Sequence, residues 1–389
     1  MNKKFNVELS DMYQAYTDCR KRKKNTFGAK QFELYAMYSL IKLTDEINEA
    51  RYRLKPSSCF VVTYPKAREV FCAAFRDRIV QHFVYNELNP VIEKMLIQDT
   101  MSCRKGKGTD RAIQRARRFM RRSTSNYTES VYIAKMDLSG FFMNIDRDVL
   151  LELVLDVIWN HYEGKYKEVL DYLVRIIICT DITKNAIIIC NPKKWELIPP
   201  NKSLFNNKYG IAIGNITSQL FANLYLNNYD HMMKSRHRHY VRYVDDSLVF
   251  CESKEYLEET IEMADEFLKP YHQKLNDRKT TITKSEYGVS FLGIKVKPHY
   301  AVLDQSRVNR LYYTSRALKS RDALIKSTAS RKGMFVRYKG HNISQRWFNS
   351  IPNELREDVI LTDGYDVIDL RKEKSQELIK ISCGGYDYV

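Results

Sequence analysis

Residues 240–251, YVRYVDDSLVFC, place two adjacent carboxylates between two short apolar runs. The β-branched and aromatic residues on either side predict a strand, a tight turn and a second strand, with Asp245 and Asp246 at the turn. Residues 131–137, VYIAKMD, predict another strand, which ends on Asp137. Each pattern alone has an ordinary explanation, because Asp is favoured in turns and at helix caps. Together they predict three carboxylates at one edge of a sheet.

Three carboxylates at one sheet edge repel one another unless a cation neutralises them. Their hard oxygen atoms suit Mg²⁺, with Mn²⁺ as a substitute. Two such ions about 3.5–4 Å apart activate an attacking hydroxyl and stabilise a leaving pyrophosphate. The set Asp137, Asp245 and Asp246 therefore predicts a two-metal centre for phosphoryl transfer.

The composition of the chain favours a folded protein that binds a polyanion. Its 389 residues include 64 Lys+Arg and 47 Asp+Glu, which gives a formal net charge of +17, and 44% are hydrophobic. A surplus of this size indicates nucleic acid as a partner. The absence of a long apolar run, of an apolar N-terminal segment and of CxxC pairs predicts a cytoplasmic protein with no membrane span, zinc knuckle or disulfide framework.

Residues 104–122 carry nine basic residues and one acid. The glycines predict a loop, and Thr109 or Asp110 is expected to cap the helix that follows. A solvated face is the usual explanation for such a run, but an arginine row without acids is self-repelling unless it meets phosphates. We therefore predict nucleic-acid binding by the loop and by the helix face: Arg104, Lys105, Lys107, Arg111, Arg115, Arg118 and Arg122.

Helical and strand patterns are interleaved along the rest of the chain. Helices are expected over residues 29–51, 68–99 with a break at Pro90, 146–180, 216–233, 255–273 and from 305 onward. Strands are expected over residues 60–64 and 281–296, and residues 181–209 are expected to form loops with a short hairpin.

The order of the motifs resembles that of reverse transcriptases, from about residue 60 to about residue 300. The series runs YPKAR (64–68), RDRIVQ (76–81), the basic loop from 104, DLSGFF (137–142), IGNITSQ (213–219), YVDD (243–246), LN with KT (275–276 and 279–280) and FLG (291–293). This resemblance implies an α+β right-hand polymerase with fingers, a palm of antiparallel sheet plus helices, and a short helical thumb. The implied domains are an N-terminal basic helical segment (1–60), fingers (61–130), a palm (131–300) with an insertion around 181–212, and a thumb with a C-terminal tail (301–389).

Two signatures narrow the resemblance to the reverse transcriptases of diversity-generating retroelements. Group II intron and retron enzymes generally have Gln-Gly and Ser-Pro where this chain has Ile213-Gly214 and Ser218-Gln219. The implied activity is an RNA-directed DNA polymerase that copies a template-repeat RNA into cDNA with low, adenine-biased fidelity for mutagenic retrohoming. The implied partners are that RNA, the RNA/cDNA duplex, dNTPs and a small, basic, oligomeric accessory protein.

The resemblance also implies a role for each motif residue. Asp137 and Asp245 are the principal metal ligands, Asp246 supports them, and the Leu138 carbonyl completes a coordination sphere. Lys279 acts near the leaving pyrophosphate as a general acid or electrostatic stabiliser; the alternative is an exposed strand-edge lysine. The implied nucleotide-binding residues are Lys66 and Arg68 at the triphosphate, Phe142 as a steric gate, Ile213, Gly214 and Gln219, with Gly293 in the primer-grip turn.

Some of these assignments have alternatives. Phe142 could be a core residue, since Phe141 is adjacent, and Lys66 could be an exposed lysine.

A retron or abortive-infection reverse transcriptase in phage defence is a rival function, which the Ile-Gly and Ser-Gln signatures disfavour. A catalytically silent RNA-binding protein on a polymerase fold is another, which the three aspartates disfavour.

Overall fold

The computed structural model describes residues 4–21, 26–63, 66–338, 341–362 and 367–370. Helices and mostly antiparallel strands make up these residues, which confirms the predicted α+β class. The end of the predicted strand at residues 64–65 and the C-terminal tail from residue 371 lie outside the described residues. No helix among the described residues is long and apolar enough to span a membrane.

The described residues in the first part of the chain form five helices and two strands: α1 (Leu9–Arg20), α2 (Phe27–Glu33), α3 (Ala36–Asn48), β1 (Ser58–Val62), β2 (Arg68–Cys72), α4 (Phe75–Met95) and α5 (Thr109–Ser123). The single helix predicted for 29–51 is therefore two helices. The helix predicted for 68–99 is confirmed from Phe75 to Met95 and is wrong before Phe75, because Arg68–Cys72 pairs with β1 as an antiparallel strand. Pro90 lies inside α4 without ending it, since the buried face of α4 continues to Ile92.

The start of α5 differs from the predicted cap. Gly108 is the N-cap residue and no side chain caps the helix. The hydroxyl of Thr109 instead donates to the Tyr243 hydroxyl (3.3 Å), and Asp110 accepts a hydrogen bond from Tyr338 (2.9 Å). The polar side chains predicted as caps are therefore used to join α5 to other elements.

The middle of the chain contains β3 (Tyr132–Asp137), α6 (Phe141–Asn144), α7 (Arg147–Asp156), α8 (Lys167–Cys179), β4 (Ile187–Ile188), α9 (Pro192–Trp195), α10 (Ile216–Tyr225) and α11 (Asn227–Arg236). The hairpin expected within 181–209 is absent from these described residues, because β4 pairs in parallel with β1 instead. The helix predicted for 216–233 divides at Leu226 into α10 and α11.

The last part of the described chain begins with strands and ends with helices. Its elements are β5 (Tyr240–Tyr243), β6 (Asp246–Cys251), α12 (Lys254–Leu268), β7 (Thr281–Lys284), β8 (Val289–Phe291), β9 (Ile294–Val296), β10 (Ala301–Leu303), α13 (Gln305–Arg316), α14 (Arg321–Arg337), α15 (His341–Ser350), α16 (Asn353–Arg356), β11 (Val359–Thr362) and β12 (Val367–Leu370). The strands predicted for 281–296 and the helix predicted from 305 are confirmed. The domain boundaries remain predictions.

The palm sheet has the strand order β5-β6-β3-β7, and every pair in it is antiparallel. Successive side chains of a strand point to opposite faces, so the sheet contributes to two cores. Ala134 and Met136 pack in the core that contains α4, α10 and α12. Ile133 packs with Ala116 and Phe119 of α5 on the other face. The sheet is thus held between helices, with its strand ends free to carry polar groups.

Three smaller sheets accompany the palm sheet in the part of the chain that the structure describes. The fingers sheet has the order β2-β1-β4, the sheet β8-β9-β10 packs in the same core as α5 and α13, and β11 pairs with β12.

Candidate active site

The turn between β5 and β6 carries two of the three aspartates. Tyr243 pairs with Asp246, so Val244 and Asp245 form a two-residue turn. Val244 has φ +57°, a conformation that is unfavourable for a β-branched residue. Its N–H donates to the Ser102 hydroxyl (3.2 Å) and its carbonyl accepts from Arg242 Nη1 (2.8 Å). The surrounding structure therefore holds this turn in a strained conformation of the kind found at functional sites.

A buried ion pair beneath the turn holds Arg242 in place. The Arg242 and Asp230 side chains are 1% and 0% exposed, and Nε and Nη2 of the guanidinium donate to the two carboxylate oxygens at 2.6 Å. The hydroxyls of Tyr240 and Thr100 also donate to Asp230. This pair was not predicted from the sequence, although an arginine within an otherwise apolar strand was a signal for it.

The third aspartate reaches the turn through strand register. Asp137 ends β3 directly opposite Asp246 of β6. The next residue, Leu138, donates its N–H to the Asp245 carbonyl (3.2 Å) and is 4% exposed. The structure thus places all three predicted carboxylates, and the Leu138 backbone, at one end of the palm sheet.

The surroundings of Asp245 and Asp246 disfavour the ionised form of each carboxyl group. Burial raises the pKa of Asp245, and the charge of Asp137 raises it further. Burial also raises the pKa of Asp246 to about 6, with Lys135 acting in the opposite direction. Asp246 Oδ1 is buried without a hydrogen-bond partner, 3.7 Å from the Lys135 ammonium. Asp245 and Asp246 supply hard carboxylate oxygen atoms, and Asp246 Oδ1 accepts no hydrogen bond, which fits a divalent cation.

Lys279 contacts this cluster, although its side chain is 46% exposed. Its ammonium donates to both carboxylate oxygens of Asp137, at 2.8 and 2.6 Å. The backbone of Asn276 accepts from Lys279 and donates to the Asp137 carbonyl, which fixes the loop against β3. Asp137 is thus engaged by an ammonium, and no three His, Cys, Asp or Glu side chains among the described residues form a ready-made metal site.

Strand β2 carries Arg68 towards the carboxylates and supports Ile213. The positive charge of Arg68, which is exposed, acts to lower the pKa of Asp245, so the two side chains are within electrostatic range. The Phe71 N–H donates to the Ile213 carbonyl (3.3 Å). Gly214 has φ +118°, and a Cβ there would lie 3.1 Å from Val70. A glycine is required at 214 because the turn is left-handed and lies close against β2.

The two phenylalanines of α6 have different surroundings. Phe141 is 2% exposed in the core, whereas Phe142 is half-buried, and the two ring centroids are 5.2 Å apart. The Phe142 carbonyl accepts from the Ile211 N–H (3.0 Å), which ties α6 to the segment that carries Ile213. Phe142, and not Phe141, has the accessibility that a sugar-contacting residue needs.

The remaining predicted nucleotide and primer residues are near the surface. Lys66 and Gln219 are exposed. Gly293 follows Leu292 in the turn between β8 and β9, and both have positive φ, +78° and +53°. Arg307 of α13 donates to the Leu292 carbonyl (3.2 Å), so α13 contacts the predicted primer-grip turn directly.

The basic side chains of the loop that precedes α5 mainly form hydrogen bonds and an ion pair within the protein. The Arg104 side chain is 7% exposed, pairs with Glu93, and donates to the carbonyls of Ile97 and Thr100. Lys107 donates to backbone carbonyls, and burial lowers its pKa to about 8. The prediction that this loop presents its cations to nucleic acid is therefore wrong for Arg104. Lys105, in contrast, is exposed.

The arginine row of α5 is interrupted. Arg115 pairs with Asp99, a residue 1% exposed in a preceding loop. The predicted row of four solvent-facing guanidinium groups is wrong at this position, because a carboxylate distant in sequence neutralises its second member. Arg111, Arg118 and Arg122 are exposed.

The described geometry agrees with a family assignment that covers most of the fold. A sequence profile for the family described as reverse transcriptase (RNA-dependent DNA polymerase) matches residues 55–296. This chain belongs to the reverse transcriptase family. The matched range begins before β1 and ends with β9, so it contains the palm sheet, the fingers sheet, the three aspartates and Lys279. The activity that describes this family, RNA-dependent DNA polymerisation, is that of a nucleotidyltransferase.

Solved structures similar to this reverse transcriptase include fungal telomerases. A C-terminally truncated apo telomerase from Candida tropicalis is 13% identical, with a TM-score of 0.44 over 69% of this chain and 60% of that one. The Candida tropicalis enzyme with a TWJ fragment of telomeric RNA is 11% identical, with a TM-score of 0.48 over 86% and 55%. The corresponding Candida albicans complex is 11% identical, with a TM-score of 0.43 over 82% and 59%. The reverse transcriptase spans just over half the length of these chains, and no curated protein sequence matches it.

Proposed function

We propose that this chain is the reverse transcriptase of a diversity-generating retroelement. It copies a template-repeat RNA into cDNA with low, adenine-biased fidelity for mutagenic retrohoming, in the cytoplasm and with a small, basic, oligomeric accessory protein. The observation that carries the proposal is Ile213, an apolar residue beside Gly214 and hydrogen-bonded through its carbonyl to β2, the strand that carries Arg68. An isoleucine at this position packs against a nascent base pair but offers it no hydrogen bond.

The reaction joins a primer 3′-hydroxyl to the α-phosphate of a dNTP and releases pyrophosphate. Asp137 and Asp245 would hold two Mg²⁺ ions, or Mn²⁺, with support from Asp246 and the Leu138 carbonyl. When bound, these ions activate the hydroxyl and offset charge on the leaving group. The raised pKa values of Asp245 and Asp246 and the unpaired Asp246 Oδ1 fit such ions.

Three cationic residues of the chain act on the triphosphate. Arg68 lies within electrostatic range of Asp245 and offers a guanidinium that binds phosphate oxygens in bidentate fashion. Lys279, at 2.6 Å from Asp137, is placed to stabilise charge on the leaving pyrophosphate or to donate a proton to it. Lys66, exposed two residues before Arg68, adds positive charge at the edge of the same site.

Replacement of Ile213 by glutamine is expected to raise fidelity. A restored amide can hydrogen-bond the incoming nucleotide, and one such contact is worth on the order of 1–2 kcal/mol, or about tenfold in discrimination. The measurement is deep sequencing of cDNA made from a defined RNA template, with Ile216→Gln as a control that places an amide at the start of α10. An unchanged error spectrum in Ile213→Gln would contradict the proposed role.

Replacement of Phe142 by valine is expected to admit ribonucleotides. Removal of the ring relieves the clash with a 2′-hydroxyl, so the preference for dNTP over rNTP should fall by roughly tenfold or more. Single-nucleotide incorporation kinetics provide the measurement. Phe141→Val is the matched control: it should lower stability, because Phe141 is 2% exposed, without changing sugar selectivity. Equal selectivity in Phe142→Val and wild type would show that Phe142 is a packing residue.

A further inference from the structure

The far end of α5 and the start of β5 bring together several cations. We call Arg115, Arg118, Arg122, Lys234 and Arg238 the distal basic cluster. The Arg115 guanidinium and the Lys234 ammonium lie 4.4 and 5.0 Å from the centroid of the Phe119 ring, which packs 5.2 Å from the His239 ring. Burial lowers the pKa of His239, and the charges of Arg238, Lys234, Arg122 and Arg115 all act to lower it further, so these four groups lie within electrostatic range of its ring. Arg118 lies one turn from both Arg115 and Arg122 on the same stripe of α5.

Positive charge in this cluster greatly exceeds negative charge. Asp99 is buried and is engaged by both Arg115 (3.1 Å) and Lys234 (2.6 Å), so it fixes these two cations in place. Arg118, Arg122 and Arg238 are exposed, and none forms an ion pair with a carboxylate of the described residues. Unpaired guanidinium groups held close together repel one another in the free protein, and a polyanion relieves that repulsion.

The cluster is remote from the catalytic turn. α5 begins beside the turn, where Thr109 contacts Tyr243, and it runs away from it along the palm sheet. At 1.5 Å per residue, Arg118 and Arg122 lie about 14 and 20 Å along the helix from that contact. Arg238 precedes β5, whose opposite end carries the turn. The distal basic cluster and the three aspartates therefore lie at opposite ends of α5 and β5.

We propose that the distal basic cluster binds the phosphate backbone of a double-helical segment of the template-bearing RNA, outside the catalytic cleft. This proposal rests on the proposed function, which supplies an RNA larger than the segment being copied. Guanidinium groups spaced one helical turn apart make sequence-independent contacts with phosphates. The aromatic ring at the centre, Phe119, is 2% exposed and cannot stack on unpaired bases, which favours a duplex over a single strand.

The test compares two triple variants for binding to an RNA hairpin of about 20 base pairs. Arg118→Gln/Arg122→Gln/Arg238→Gln removes the three exposed cations. We expect its affinity for the hairpin to fall at least tenfold near physiological salt, and the slope of log K against log salt to become shallower by about two to three. Lys193→Gln/Lys194→Gln/Lys202→Gln removes the same charge from exposed positions of the insertion around residues 181–212 and should keep affinity within about threefold.

Three results decide the proposal. If the cluster variant binds the hairpin with the affinity and salt slope of the wild type, the proposal is wrong, and an acidic protein becomes the favoured partner of this surface. An equal loss in both triple variants would also overturn it, as a general charge effect. Displacement of the hairpin from the wild type by a saturating primer–template duplex would place both ligands in one site and overturn it as well. Melting temperatures show that the variants are folded. Failure of the wild type to extend a primer would count against the proposed function, while the hairpin comparison would still decide this proposal.

Discussion

Asp245→Asn is expected to reduce Mg²⁺-dependent primer extension at least about 10³-fold. Asn keeps the size of the side chain but removes the negative charge that a divalent cation requires. The same loss is expected for Asp137→Asn, because Asp137 lies opposite Asp246 across the β3–β6 pair and both residues face the same sheet end. Single-turnover extension of a DNA primer on an RNA template measures the effect.

A nearby carboxylate provides the control for this loss. Asp277 is 81% exposed, lies two residues from Lys279, and pairs only loosely with Lys274 at 3.5 Å. Asp277→Asn should extend primers within about twofold of the wild type, since surface substitutions of this kind have small effects. If wild type, Asp245→Asn and Asp277→Asn were all equally inactive, the chain would be an RNA-binding protein on a polymerase fold.

Arg242→Met is expected to lower the free energy of unfolding by about 3–5 kcal/mol. The substitution leaves Asp230 buried and charged, with the Tyr240 and Thr100 hydroxyls as its remaining partners. It also removes the donor to the Val244 carbonyl, so the strained catalytic turn loses one of its supports. Urea unfolding measures the stability, and primer extension at a temperature where the variant is folded measures the effect on the turn.

Two further variants compare the contribution of the buried Arg242–Asp230 ion pair to stability with that of an exposed ion pair. Arg175 pairs with Asp171 on the surface of α8, so Arg175→Met should change stability by no more than about 0.5 kcal/mol. Asp230→Leu/Arg242→Met removes both charges and should cost less than the sum of the single changes, because residues of one ion pair are not additive. Additive effects, or a cost below about 1 kcal/mol for Arg242→Met, would contradict the structural role of the pair.

The sequence predicted best where the deciding signal is local. The turn at Asp245 and Asp246 follows from two apolar runs that flank a pair of turn-forming residues, and its position was confirmed. The strand Arg68–Cys72 was missed because five alternating residues just before a long helix read as part of that helix. β4 was missed as a partner of β1 because two residues carry almost no periodic signal.

Individual contacts between residues of distant segments could not be predicted from the sequence. Strand ends at Asp137 and at the catalytic turn were predicted, but only register, which depends on tertiary packing, places Asp137 opposite Asp246. Asp99, in a loop that precedes α5, neutralises Arg115, and the helical spacing of the arginines does not predict this partner. Lys279 was predicted at the site from its motif, whereas its direct contact with Asp137 was visible only in the folded chain.

The proposed function is tested most directly by sequencing the cDNA that the wild-type enzyme makes from an RNA template containing all four bases in equal number. If Ile213 leaves the nascent base pair without a polar contact, substitutions will be frequent and will concentrate at template adenines. A low error rate spread evenly over the four template bases would contradict assignment to a diversity-generating retroelement, while leaving membership of the reverse transcriptase family intact.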